Sequence, residues 1–262
     1  MQYGLAHLSV IPVRINPDNT AEMITQLIYG DHFKIKEERK YWCRVQNRFD
    51  GIEGWVLNGQ ITKIEENSFL AIEEQDTCVL SQDLFTYIST KKNVLQPVVL
   101  GSRLDVAPLL QHTYEEEAPT VFTAKQELVK TAFLFLNAPF LNGGKTPLGT
   151  DASGFTQMVY RLSNLKLLRT TQEQAKQGEA LSFIEESEPG DLAFFDDSEG
   201  NINHVGIILQ DNYIIHAHHK VRIDRIDHTG IFNTDGDGFA SFVENDLAIG
   251  RDDFTWNHNF SP

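Results

Sequence analysis

The first part of the chain alternates short apolar runs with turn-forming residues. The runs are rich in β-branched and aromatic side chains, which is the composition of half-buried strands. Asp50-Gly51 is a dipeptide that favours a tight hairpin turn. Residues 1–66 are therefore predicted to form an all-β unit, with strands at residues 8–14, 26–29, 32–36, 42–46 and 54–56.

The alternation is weaker in residues 67–118. Strand-like runs occur at residues 68–72, 77–80, 85–88 and 93–100. The acidic, proline-ended stretch at residues 114–119 is predicted to be a solvated linker. We interpret residues 67–118 as a second, degenerate barrel-like region together with this linker.

The apolar residues change to helical spacing in residues 119–262. One helix is predicted to begin at Thr123 and to bury Leu128, Ala132, Phe135 and Leu136. A second is predicted to begin after Asp151, whose carboxylate can cap the first turn. The buried face of this second helix is predicted to be Phe155, Met158, Val159 and Leu162. Because strand-like runs follow at residues 192–195, 203–209, 212–217 and 221–224, the region is predicted to be an α+β domain.

Length and composition narrow the class of protein. A chain of 262 residues suits two or three domains, and its net charge of -15 argues against nucleic acid or an anionic membrane surface as a partner. No apolar run is long enough to span a bilayer. Residues 1–13 lack the pattern of a signal peptide, and the compartment is left open. Cys43 and Cys78 are too few for a disulfide framework.

The helix after Asp151 presents a candidate reactive position. A side chain at residue 152 lies on the first helical turn, where the helix dipole favours negative charge. A cysteine there would have a lowered pKa and would act as a nucleophile. The chain has Ala152 instead, so it offers no thiol at this position.

Four motifs resemble those of a known family of enzymes. They are Asp-Ala-Ser-Gly-Phe at residues 151–155, Pro-Gly-Asp-Leu at 189–192, His-Val-Gly at 204–206 and Ile-His-Ala at 215–217. In combination they resemble the NlpC/P60 family of cell-wall cysteine peptidases, whose first motif has cysteine in place of the alanine. The resemblance implies a papain-like α+β fold for residues 119–262.

The N-terminal unit resembles a second family. Tyr-Gly-Asp at residues 29–31, Trp-x-x-Val at 42–45 and Gly-Trp-Val at 54–56 occur in the order typical of bacterial SH3 (SH3b) domains. The resemblance implies a small barrel over residues 1–66. The predicted architecture is therefore multidomain, with one or two all-β SH3b-like barrels followed by an α+β papain-like domain.

The NlpC/P60 resemblance implies roles for particular residues. Ala152 occupies the nucleophile position, His204 that of the general base and His216 that of the residue that orients the base. The family substrate is a murein stem peptide that begins with a free L-Ala amino group. Asp151 and Ser153 are expected to help hold that amino group, and Ser153 is disfavoured as an alternative nucleophile because it points elsewhere on the helix.

The chain departs from the family pattern at other positions of the same cleft. Phe-Leu-Asn-Gly-Gly at residues 140–144 replaces Tyr-x-Trp-Gly-Gly, and two histidines replace a small pair after Ile-His-Ala. We therefore expect Phe140 and His218 to line the substrate-binding cleft. His216 and His218 also alternate as two zinc ligands would, but no cysteine or carboxylate partners are evident. No metal site and no cofactor are predicted.

Three functions are compatible with these patterns, and enzymatic activity is left open. The favoured hypothesis is an inactive pseudo-peptidase whose cleft binds a murein peptide or another ligand. The first alternative is a γ-D-glutamyl-L-diamino-acid endopeptidase whose cysteine was replaced by engineering. The second alternative is a protein-interaction scaffold that uses its SH3b domains. The sequence leaves the oligomeric state open.

Overall fold

The computed structural model describes residues 1–75, 78–114, 125–181, 183–228, 230–232 and 248–251. Side chains are described within these ranges except at residues 125–126 and 248–251. The predicted cap at Thr123 and residues 115–119 of the predicted linker lie outside the described residues. In the ranges that are described, no helix has both the length and the apolar character needed to cross a bilayer.

The N-terminal unit is a seven-stranded antiparallel sheet that curls around its own core. Its strands are β1 (Gln2–Ala6), β2 (Val10–Arg14), β3 (Met23–Ile28), β4 (His32–Glu38), β5 (Trp42–Asn47), β6 (Glu53–Leu57) and β7 (Ile61–Ile64), in the order β3-β2-β6-β5-β4-β1-β7. Inward-facing residues such as Ile11, Phe33 and Val45 form its apolar core. The five predicted strands and the all-β class are confirmed.

The described residues between 66 and 114 form one α-helix, one hairpin and a short 3₁₀-helix at Ala107–Leu110. The helix is α1 (Glu66–Glu73), and the hairpin pairs β8 (Phe85–Ser89) with β9 (Leu95–Val99). The predicted strand at residues 68–72 is wrong, because Phe69 and Ile72 are buried three residues apart on one face of α1. The proposed domain boundaries, including a second degenerate barrel over residues 67–118, stay a prediction.

In the described part of the C-terminal domain there are three α-helices, α2 (Lys125–Phe133), α3 (Ala152–Leu162) and α4 (Thr171–Gln174). A two-residue ladder of β10 (Lys145–Thr146) and β11 (Gly149–Thr150) precedes α3. A seven-stranded sheet in the order β12-β18-β13-β14-β15-β16-β17 completes the domain. Its strands are β12 (Glu179–Leu181), β13 (Leu192–Asp196), β14 (Ile202–Leu209), β15 (Tyr213–His218), β16 (Lys220–Asp227), β17 (Gly230–Phe232) and β18 (Ala248–Arg251).

Helix α3 is the central element of the molecule, and all of its residues are buried. Its predicted apolar face, which includes Phe155 and Val159, packs in one cluster with α2 and the C-terminal sheet. Its opposite face meets the barrel through polar side chains. There Arg161 Nη1 donates to Asp31 Oδ1 at 2.8 Å, and Lys145 Nζ lies 3.3 Å from Asp31 Oδ2. The barrel therefore fixes the orientation of α3 as well as its position.

Candidate active site

The site begins at the N-terminus of α3. Asp151 caps the helix, because its Oδ1 accepts from the Gly154 amide at 2.7 Å. Its Oδ2 accepts from the Gly143 amide at 2.8 Å, which ties the preceding loop to the helix tip. A Cβ on Gly154 would lie 2.1 Å from the Gly144 carbonyl oxygen, so only glycine permits this approach. These contacts hold the Ala152 methyl at the start of the helix.

Arg169 organises the helix tip, and the sequence motifs did not identify it. Its side chain is 4% exposed and forms an ion pair of 2.7 Å with Asp151. Its five N–H groups reach five acceptors: both carboxylate oxygens of Asp151, Ser153 Oγ, the Gly144 carbonyl and Thr25 Oγ1. Asp151 and Ser153 are therefore already engaged with a cation, and Arg169 also connects the helix tip to the barrel through Thr25.

A chain of buried side chains lies on β14, β15 and β16. His204 Nε2 is 2.8 Å from His216 Nδ1, and His216 Nε2 is 2.9 Å from Asp224 Oδ2. Strand register explains the arrangement. Gly206 pairs with His216, and Ile214 pairs with Asp224. His204 is therefore a diagonal neighbour of His216, and His216 of Asp224, on one face of the sheet. We call His204, His216 and Asp224 the histidine relay.

The relay fixes the tautomers of both imidazoles. Burial lowers the pKa of His216, although the neighbouring Asp224 carboxylate raises it in part. The pKa of His204 lies well below its usual range, mainly because the ring is buried and to a smaller extent because His216 and His218 are close. Both rings are therefore neutral at pH 7. Asp224 can only accept, so His216 donates through Nε2 and its Nδ1 accepts from His204 Nε2. The lone pair of His204 is thereby placed on Nδ1, as a general base requires.

Two neighbours hold the relay in place. Arg222 binds both oxygens of Asp224, with Nε at 2.6 Å from Oδ2 and Nη2 at 2.9 Å from Oδ1. Gly206 permits the close approach of β15, because a Cβ there would lie 2.6 Å from Ile214 Cδ1 and 2.8 Å from His216 Cβ. The glycine of the His-Val-Gly motif thus has a packing reason, and Asp224 and Arg222 are functional candidates that the sequence motifs missed.

The helix tip and the relay face one cleft of about 600 Å³. Six of the seven residues predicted for the site line this cleft: Phe140, Asp151, Ala152, Ser153, His204 and His218. The seventh, His216, lies behind His204 and is 1% exposed. In the described part of the chain, no group of three or more His, Cys, Asp or Glu side chains could hold a metal ion.

The two departures from the family pattern line the cleft without closing it. Phe140 is 46% exposed. Burial and the neighbouring His219 and His216 lower the pKa of His218 to about 4, and its ring stacks on that of His219 at 4.1 Å. His218 is therefore an uncharged side chain of the cleft at neutral pH.

The barrel supplies one end of the cleft. Glu22, Met23 and Ile24, at the start of β3, line it together with residues of the C-terminal domain. Asn142 Nδ2 lies 3.3 Å from Glu22 Oε1 and joins the two parts at the rim. Residue patterns along the chain could not locate this contact, because it depends on how the barrel docks against α3.

A helix tip and a histidine relay on opposite sides of a cleft define a hydrolase-like domain of the papain type. Comparison with known proteins agrees with this class. A model of the NlpC/P60 family matches residues 137–234, and a model described as the bacterial dipeptidyl-peptidase Sh3 domain matches residues 13–61. The chain carries an NlpC/P60 domain preceded by a bacterial SH3 domain.

Individual relatives extend the likeness over most of the chain. The γ-D-glutamyl-L-lysine dipeptidyl-peptidase of Bacillus cereus is 22% identical over 228 residues, which are 76% of this chain and 68% of that protein. Dipeptidyl-peptidase 6 of Lysinibacillus sphaericus is 29% identical over 236 residues, covering 77% and 82%. The crystal structure of an NlpC/P60 family protein from Bacillus cereus has a TM-score of 0.76 at 19% identity, covering 95% of this chain and 99% of that one. The predicted fold class is confirmed.

Proposed function

We propose that this chain binds a short murein stem peptide with a free amino terminus and does not cleave it. The observation that carries the proposal is the Ala152 methyl in the cleft of an NlpC/P60 domain, at the place where a peptidase of this family has its thiol. His204 can accept a proton, but a methyl group has none to give and cannot attack a carbonyl carbon.

The charges of the cleft support a ligand that carries an ammonium group. Glu22 and Asp151 bring two negative charges to the lining and Arg169 brings one positive charge. His204 and His218 are neutral at pH 7 because their pKa values are lowered. One negative charge therefore remains, and since Arg169 is paired with Asp151, we assign the ammonium contact mainly to Glu22.

The shape of the cleft supports a short ligand. The barrel residues from Glu22 to Ile24 form one end, so a peptide that extends further in that direction would meet the barrel. Two of the relatives described above are named dipeptidyl-peptidases, and one of them is named for a γ-D-glutamyl-L-lysine bond. We extend that class of ligand, L-Ala-γ-D-Glu followed by a diamino acid, to this chain.

Calorimetry with the tripeptide L-Ala-γ-D-Glu-diaminopimelate tests the proposal. We expect the free peptide to bind and its N-acetylated form to bind at least about tenfold more weakly, because a charged hydrogen bond is lost. Glu22→Gln should weaken binding of the free peptide, whereas the exposed barrel variant Glu65→Gln should not. Mass spectrometry of the mixture should show intact peptide. Cleavage, or no heat at about millimolar peptide, would contradict the proposal.

A second function is favoured by the intact histidine relay. The base, the orienting residue and Asp224 are all in hydrogen-bonding register, so of the nucleophile, the base and the orienting residue only the nucleophile is missing. On this alternative the natural chain is a γ-D-glutamyl-L-diamino-acid endopeptidase with cysteine at position 152. The open volume of the cleft gives no support to a scaffold whose C-terminal domain serves only for packing.

A further inference from the structure

The histidine relay continues beyond Asp224 to a cation. Arg222 Nε donates to Asp224 Oδ2 at 2.6 Å and Arg222 Nη2 donates to Asp224 Oδ1 at 2.9 Å, so the guanidinium binds both carboxylate oxygens. His216 Nε2 lies 2.9 Å from the same Oδ2. The Asp224 carboxylate therefore accepts from a cation and from a neutral imidazole at the same time.

Strand register places this cation beside the central ring of the relay. Arg222 is the direct cross-strand partner of His216, and Asp224 follows two residues later on the same face of β16. The side chain of Asp224 is 2% exposed and that of Arg222 is 11% exposed. Water screens such a pair only weakly, so the guanidinium offsets the field that the carboxylate exerts on the ring.

The surroundings of His216 show what this offset changes. A carboxylate beside an imidazole favours the charged ring and raises its pKa. Burial is the largest influence on the pKa of His216 and lowers it, the Asp224 carboxylate raises it, and the Arg222 guanidinium lowers it again. Arg222 therefore adds to burial in disfavouring a charge on the ring.

The described titratable or charged groups that face His216 come from three neighbouring strands. They are His204 on β14, His218 on β15 itself, and Arg222 and Asp224 on β16. Helix α3 packs on the opposite face of β15 and contributes apolar residues to that contact. Because the pKa values of His204 and His218 are also lowered, the described charges that act on His216 in mildly acidic solution are those of Arg222 and Asp224.

We propose that Arg222 is a positioning residue of the histidine relay, which compensates the charge of Asp224 and thereby keeps both imidazoles neutral in mildly acidic solution. Arg222 also keeps Asp224 ionised, so that the carboxylate accepts from His216 and sets the direction of the relay. His204 then retains its lone pair on Nδ1 in acid. The inference goes beyond the proposed function, because it concerns the protonation of the protein without a peptide.

Histidine ¹⁵N shifts followed from about pH 8 to 5, without ligand, test the proposal. In the parent chain we expect both relay imidazoles to be neutral at about pH 6.5, where an unperturbed histidine is half protonated. In Arg222→Gln, the pair of Asp224 and His216 should take up a proton at least about one pH unit higher than in the parent chain, about tenfold in proton affinity. Arg222→Lys keeps the charge and should reverse most of that change.

Arg225→Gln is the matched control. Arg225 is an exposed arginine of the same strand, and its guanidinium lies over the Tyr213 ring at 5.3 Å from the ring centre. Since it directly follows Asp224, it faces the other side of β16. The titration of the relay should be the same in Arg225→Gln as in the parent chain.

Three results would overturn the proposal. A relay imidazole that is half charged near pH 6.5 in the parent chain would show that the relay is not kept neutral, and this result needs no variant. Equal titration in the parent chain and in folded Arg222→Gln would show that burial alone keeps the relay neutral. A change in Arg222→Lys as large as that in Arg222→Gln would show that the contact acts through packing and not through its charge.

Discussion

The two walls of the cleft differ in how much the loss of a functional side chain costs in folding stability. The helix-tip wall, Asp151 to Ser153, presents a methyl group where the family has a thiol. The relay wall, which is the histidine relay on β14 to β16, is complete and buried. Removing a thiol leaves no buried polar atom without a partner, whereas removing one relay member does, at a cost of about 1–3 kcal/mol. An intact relay is therefore maintained by folding stability even where catalysis is absent.

The largest effect is expected when a thiol is introduced at position 152, which tests whether the two walls differ in this way. If the relay wall retains catalytic geometry, Ala152→Cys should raise hydrolysis of L-Ala-γ-D-Glu-diaminopimelate by at least about 10³-fold over the chain as it stands, since removing a nucleophile costs that much or more in other hydrolases. The measurement is product release followed by chromatography. Ser153→Cys is the matched control and should stay inactive, because position 153 faces Arg169.

A folded but inactive Ala152→Cys protein would contradict this prediction. The rate of alkylation by iodoacetamide then distinguishes two causes of the inactivity. Fast alkylation near neutral pH would show that the thiol is ionised but does not reach its substrate. Slow alkylation would show that His204 does not deprotonate the thiol.

The helix-tip wall should be sensitive to the loss of Arg169. Arg169→Met leaves the Asp151 carboxylate and Ser153 without their cation, and breaking such a buried pair costs about 3 kcal/mol in unfolding free energy. Urea denaturation measures the loss. The exposed pair of Lys63 and Glu38 provides the control, because Lys63→Met should change stability by less than about 1 kcal/mol. Equal losses in the two variants would show that Arg169 does not organise the helix tip.

Asp224→Asn should reverse the direction of the hydrogen bonds in the histidine relay. When its Nδ2 faces the ring, an asparagine amide donates to His216 Nε2, which moves the His216 proton to Nδ1 and forces His204 to carry its proton on Nδ1. In an active Ala152→Cys background we expect a loss of about 10- to 100-fold, as for other residues that act through a ligand or base. Histidine ¹⁵N shifts report the tautomers directly and do not require activity.

The variant Asp211→Asn, in an exposed turn, is the control for that experiment. It should change neither the tautomers nor the rate. If Asp224→Asn left His204 protonated on Nε2, the assignment of the relay direction would be wrong.

The sequence was sufficient for those parts of the fold and site that depend on local pattern. The Asp151 cap, the apolar face of α3 and the strands that carry His204 and His216 follow from spacing alone. Arg169 and Asp224 follow from contacts between elements, so no local pattern marks them. The polar face of α3 shows the limit best: Arg161 has the spacing of a solvent-exposed residue but is buried, because Asp31 of the barrel meets it.

The smallest expected effect is a difference between the two walls in how folding stability depends on pH. His218, at the edge of the relay wall, has its pKa lowered to about 4, while an unfolded histidine titrates near pH 6.5. Between these values the unfolded chain binds more protons, so stability falls as the pH drops below about 6.5. Asp31 and Glu73, whose pKa values are lowered to about 2, lose their contribution only in stronger acid. A window from about pH 7.5 to 5 therefore isolates the histidines.

Thermal unfolding across this window compares one variant from each wall. The fall in Tm on acidification should be smaller in His218→Asn than in the parent chain, because one of the lowered pKa values has been removed. Ser153→Ala, on the helix-tip wall, should lower Tm equally at both ends of the window, since serine does not titrate there. An unchanged pH dependence in His218→Asn would contradict this prediction and leave the acid sensitivity to the other histidines whose pKa values are lowered, which are His7, His112, His204 and His216.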